Sequence, residues 1–131
     1  MHPKLMAWDH TMKAMLDRID HLLEDRYGHQ WKLRRNRPRR GETANPQADG
    51  LFDVDVIFTP GYRSQHGRGY LVEIILATDQ NVSAEERAEI EVLTQDLLLQ
   101  FLPEYFPGRE LSVVREGAMY KIIGDFRLGQ T

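Results

Sequence analysis

The sequence predicts an α+β domain with two helices packed on a five-stranded, mainly antiparallel sheet, in the order α-β-β-β-α-β-β. Two long segments carry apolar residues at three-and-four spacing, and five short segments have the composition of strands. The third observation is size: 131 residues, 41 % hydrophobic and 28 % charged, suffice for one core without metal or cross-links. No repeat or linker divides the chain, so residues 1–131 are expected to form a single domain.

The first helix is read from Leu5, Trp8, Met12, Met15, Leu16, Ile19, Leu22 and Leu23, which fall on one face, with Gly28 closing it. Its methionines are expected to pack inward. Trp31 to Arg35 reads as a short strand. Leu51 to Thr59 reads as a longer one, in which Phe52, Val54, Val56 and Phe58 alternate with Leu51, Asp53, Asp55 and Ile57. Tyr70 to Thr78 is apolar on both faces except at Glu73, which predicts a central strand. Ser83 and Glu86 form a capping box for the second helix, whose apolar residues run from Ile90 to Leu102 until Pro103 ends it. Leu111 to Arg115 and Ala118 to Phe126 complete the sheet as a hairpin joined at Glu116-Gly117. Residues 38–50 and 60–69, rich in Gly, Pro and polar residues, are expected to be mobile loops.

Composition removes several classes of function. Absence of cysteine excludes disulfide scaffolds and Cys-based zinc sites. The longest apolar stretches fall well short of the ~20 residues a membrane span needs. Asp9, His10, Lys13, Asp17 and Asp20 interrupt the start as no signal peptide would, so a cytoplasmic address is expected. The five histidines make no His-x-x-x-His or Glu-x-x-His pair, and Ser64, Ser83 and Ser112 lack a nucleophile elbow. Asp17 and His21, four apart on the first helix, are expected to make no more than a surface contact.

Charge is segregated. The net charge is −3, yet the seven charged residues from Arg26 to Arg40 are all basic. Arg34, Arg35, Arg37, Arg39 and Arg40 are candidates for an anion site, near the aromatic faces of Tyr27 and Trp31. Arg63, His66 and Arg68 extend that reading to the second loop, where glycines let backbone N–H groups approach an anion. Nucleic acid is one such partner, through its phosphate backbone. The competing expectation is that these arginines guard an edge strand and answer the acids of the second helix, within the chain or across a dimer.

Period two puts Asp53 and Asp55 on one face, and a hairpin register with Asp55 near Glu73 gathers three carboxylates. Lys32 and Arg34 on the preceding strand are expected to neutralise them as an ion-pair ladder. The alternative is a divalent metal site at Asp53, Asp55 and Glu73, three hard oxygen donors of the kind Mg²⁺ accepts. In element order, with an Asp on the second strand and a Glu on the third, the chain resembles the core of restriction-endonuclease-like nucleases. That resemblance implies a Mg²⁺-dependent nuclease with Asp53 or Asp55 and Glu73 as ligands. Ile75 stands where that family's motif has its lysine, so Lys32, Lys121 or a loop arginine would have to serve instead. With its terminal hairpin, the order is also similar to that of the small acidic chaperones of type III secretion, which implies dimerisation and capture of extended partner segments.

Phe101, Leu102, Tyr105 and Phe106 are the most concentrated aromatic stretch, and a candidate dimer or partner surface where exposed. No catalytic constellation is complete. The expected function is therefore a non-enzymatic module without cofactor, a homodimer engaging a protein or an anionic ligand. A lysine-less nuclease and a non-cleaving nucleic-acid binder are the alternatives.

Overall fold

The computed structural model describes residues 3–62 and 66–124, with side chains from Met6 onward. The elements are α1 (Pro3–Tyr27), a single 3-10 turn (Pro46–Ala48), β1 (Phe52–Thr59), β2 (Gly69–Leu76), α2 (Ala84–Tyr105), β3 (Leu111–Glu116) and β4 (Met119–Gly124). Among the described residues, two helices and an antiparallel sheet are present, but the sheet has four strands, ordered β1-β2-β4-β3. β2 lies inside it, as its apolar faces require.

The strand expected at Trp31 to Arg35 is absent for a local reason. The Lys32 N–H donates to the Gln80 side chain at 2.7 Å, and its carbonyl accepts from the Thr78 hydroxyl. One backbone bond follows, from the Arg34 N–H to Ala77 O at 2.8 Å, before Asn36 turns the chain at φ +67°. Side chains thus satisfy groups a ladder would have used. The segment runs beside residues 77–80, past the end of β2, rather than along β1.

Register places the core. Phe52 pairs with Leu76, Val54 with Ile74, Val56 with Val72 and Phe58 with Tyr70; on β4, Ile122 pairs with Tyr70 and Tyr120 with Val72. This face lies under Met12, Met15, Leu16, Ile19 and Leu23 of α1 and Ile90, Leu98, Phe101 and Leu102 of α2, all buried. Met12 and Met15 pack inward as their spacing predicts, and each fully buried apolar side chain contributes roughly 1.5–3 kcal/mol.

The capping box forms. The Glu86 N–H donates to Ser83 Oγ at 3.0 Å, and the Ser83 N–H donates to Glu86 Oε1 at 3.1 Å. These bonds to Ser83, with a further one from Gln30, hold the Glu86 carboxyl below its usual range. Ser83→Ala is expected to destabilise the protein by about 1 kcal/mol, read from urea melts. Two boundaries differ from expectation. Pro103 lies within the last turn of α2, where the Phe106 N–H still reaches Leu102 O at 2.8 Å. The hairpin turn is Gly117-Ala118, since Glu116 pairs with Met119 and Gly117 takes a φ of +61°. Residues Asp125 and Phe126 of the expected last strand lie outside the described residues.

Candidate functional site

The opposite face of the sheet carries the carboxylates. Asp55 pairs with Glu73, the register expected, and Asp53 lies two residues along on the same face. The ion-pair ladder does not form. Lys32 and Arg34 sit beyond the end of β2, and Arg34 instead approaches Asp79 at 3.7 Å. Partial burial, then Asp55, raises the Asp53 carboxyl above its ordinary range, against an opposing pull from Arg37. Lys121 shares this face, fully buried, but its ammonium bonds Gly67 O and Glu116, with Glu116 Oε2 at 3.2 Å. Ile75, where the nuclease resemblance wants a lysine, is partly exposed. Among the described residues, no three His, Asp or Glu side chains are arranged to hold a metal ion.

A second acidic group lies where the sequence reading placed none. Asp20 and Glu24 sit one turn apart on α1 and are buried, and Asp49 is buried in the loop above them. Glu24 Oε1 accepts from the Phe52 N–H at 2.8 Å. Gly50, at φ +69°, lies so close that a Cβ there would stand 2.4 Å from that oxygen, so only glycine fits. Asp49 Oδ2 accepts from the N–H and hydroxyl of Thr43 at 3.0 and 2.8 Å. Asp20 Oδ2 has no hydrogen-bond partner among the described residues. Burial, then the charges of Glu24, Asp17, Asp49 and Asp53, pushes the Asp20 carboxyl up to about 8.

These groups fasten the 38–50 segment over the outer edge of β1. The Arg37 guanidinium donates to the carbonyls of Gly50, Gln47, Asp49 and Phe52 at 2.9, 2.9, 3.0 and 3.2 Å. Gln47 Nε2 donates to Val54 O at 3.0 Å, and Lys13 of α1 donates to Asn45 Oδ1 at 3.0 Å. The N–H and carbonyl of Phe52 and the carbonyl of Val54, which face away from β2, are thereby occupied. Farther along, among the described residues, the Val56 N–H is met only by Asp55 Oδ1 at 2.8 Å and nothing meets the backbone of Phe58 on that side. An open cleft of about 600 Å³ begins there, lined by Met12 and Leu16 of α1, Val56 and Phe58 of β1, and Tyr70. Asp9, Asp55, Lys13 and Gln47 form its polar rim. Phe58 is 54 % exposed and neighbouring Ile57 is 48 % exposed.

The arginine candidates separate. Arg37 is spent on carbonyls; Arg40 pairs with Asp25 at 2.8 Å and donates to His21 O at 3.1 Å. Arg35 and Arg39 are exposed without an acidic partner among the described residues. His66 is half-buried and Arg68 exposed, while Arg63 lies outside the described residues. The cluster does not answer the acids of α2 by ion pairs; Glu91 takes Arg87 and Arg115, at 3.6 and 3.7 Å. Asp17 pairs with Lys13 at 3.1 Å rather than with His21. Phe101, Leu102 and Phe106 are buried in the core and Tyr105 is half-buried, so the expected aromatic interface is not on the surface.

Fold and site together define a two-layer α+β domain with one strand edge half sealed and half open. A family model described as "Uncharacterised protein" matches residues 3–124, and the chain belongs to that family. A protein of Borreliella burgdorferi described as "Uncharacterized protein" is 40 % identical over 108 residues, which is 82 % of this chain and 84 % of the relative. No solved structure matches the chain. No helix among the described residues is long and apolar enough to cross a membrane.

Proposed function

We propose that the protein is a non-enzymatic interaction module that takes an extended segment of a protein partner onto the outer half of β1. One observation carries the reading: Glu24 accepts from the Phe52 N–H, Arg37 and Gln47 donate to the carbonyls of Phe52 and Val54, and this cover stops where the apolar cleft opens. An unpaired edge templates strand addition, with backbone bonds giving affinity and side-chain pockets giving selectivity. Alternate side chains of the incoming segment would enter the cleft over Met12, Leu16 and Val56. Asp9 and Asp55 at the rim favour a segment that carries Lys or Arg beside its apolar residues. The same acids disfavour a second copy of this chain, because β1 paired with β1 brings like charges together.

A selection from a random-peptide display library is the test. Enriched peptides are expected to alternate apolar residues and to include a basic one. Binding is expected to weaken about tenfold or more, or ~1.4 kcal/mol, with Phe58→Arg, and similarly when alternate peptide nitrogens are methylated. Phe58 is largely exposed, so the variant should keep the parent's melting temperature. A library that yields no binder, or binders indifferent to both changes, removes the proposal. Sedimentation of the protein alone as a stable dimer that excludes the peptide would also count against it.

A further inference from the structure

We propose that a second cleft, between the C-terminal end of α1 and the arginine-rich segment, binds a nucleotide unit, with the phosphate on Arg39 and Arg40 and the base over Trp31 and Leu33. The cleft measures about 450 Å³, within the usual range for small-ligand sites, and also includes Glu24 and His29 in its lining. It is separate from the β1 cleft and does not depend on the strand-addition reading.

Three features converge. The first is uncompensated positive charge: Arg39 has no acidic partner among the described residues, and Lys32 and Arg35 nearby are likewise exposed without one. Arg40 already meets Asp25, which fixes its guanidinium at the rim while leaving donors for an incoming anion. Arginine's planar fork suits phosphate better than a lysine ammonium does. The second feature is the apolar wall of Trp31 and Leu33, which simple anions do not need and a planar base does. The third is Glu24. One of its oxygens is held by the Phe52 N–H, and the other has no hydrogen-bond partner among the described residues. A carboxylate inside a basic cleft repels a bare anion, but it accepts hydrogen bonds from ribose hydroxyls or an exocyclic amine. Cations at one end, an apolar wall and a lone acceptor together describe a nucleotide better than they describe sulfate, a fatty acid or an acidic peptide.

The nucleotide can be free or part of a single-stranded RNA, and the experiment has an arm for each. Calorimetric titration uses AMP, UMP and inorganic phosphate; anisotropy uses labelled oligo(A) and oligo(U) over a salt series. Binding of a mononucleotide at least tenfold tighter than phosphate, weakened tenfold or more by Arg39→Gln, is the expected result for a free ligand. Tighter oligonucleotide binding that falls steeply with salt and with the same substitution assigns the site to RNA. Arg39 is exposed and unpartnered, so its replacement should leave the urea midpoint unchanged. The proposal fails if neither nucleotide nor oligonucleotide binds at millimolar concentration, if phosphate alone binds as tightly, or if Arg39→Gln changes nothing.

Discussion

Asp20→Asn is expected to stabilise the protein, and to do so more strongly as the pH rises. In the unfolded chain this carboxyl ionises near its ordinary value of 3.8, whereas in the fold it holds its proton to about 8. Below pH 3.8 both states are protonated and Asp20 imposes no penalty. Between those two values the folded state binds the extra proton, so stability falls as pH rises, by at most about 1.4 kcal/mol per pH unit from this one group. Above pH 8 the loss is complete. Asp53, also raised, contributes in the same direction. Asparagine cannot ionise, so it brings no charge into the buried site at any pH. Urea melts of parent and variant are expected to agree within about 1 kcal/mol at pH 5 and to separate by roughly 2–4 kcal/mol in the variant's favour at pH 9. Equal slopes of stability against pH in the two proteins would show that Asp20 ionises normally in the fold.

Asp20 also illustrates what sequence alone reveals here. The helix face, the Asp55–Glu73 register and the Ser83–Glu86 cap were legible because each is written in spacing of a few residues. Asp20 and Glu24 were legible in principle: they continue the buried ridge through Met12 and Leu16 at intervals of four, inside the apolar stripe rather than opposite it. Their place in that stripe means that α1 buries charge against β1, which the spacing of the apolar residues alone does not reveal. Gly28 and Gly50 flank the Glu24 carboxylate with no room for a side chain, but their partner lies far off in the chain, and no local pattern links the three. Trp31 to Arg35 failed for the opposite reason. Its composition suits a strand, but Thr78 and Gln80 occupy the backbone groups of Lys32 from outside the window that composition surveys. The cleft at Phe58 was invisible as well, because an open edge is defined by where another segment's hydrogen bonds end.

Arg37→Met is expected to be the most damaging of the changes considered, at roughly 2–4 kcal/mol. The segment from Gln47 to Phe52 turns its carbonyls inward toward one guanidinium, which satisfies four of them at 2.9 to 3.2 Å. Methionine fills the volume and satisfies none. Arg37→Lys should recover only part of the loss: three of the carbonyls converge on Nη2, where an ammonium could stand in, but Gly50 O, held by Nε, would lose its donor. The damage should also depend on pH. Arg37 draws the Asp53 carboxyl down against burial and Asp55, and Asp53 in turn acts on Asp20 together with Glu24 and Asp49. With Arg37 removed, the acids of α1, the loop and β1 face one another with less compensation, so the variant's deficit should be larger at pH 9 than at pH 5. Hydrogen exchange should localise the loss to residues 43–54, where Gln47 and Asp49 are fastened, and spare α2. Uniformly faster exchange, or full rescue by lysine, would mean that Arg37 acts as a general surface charge. The inner half of β1 would then need another explanation for being closed where its outer half stands open.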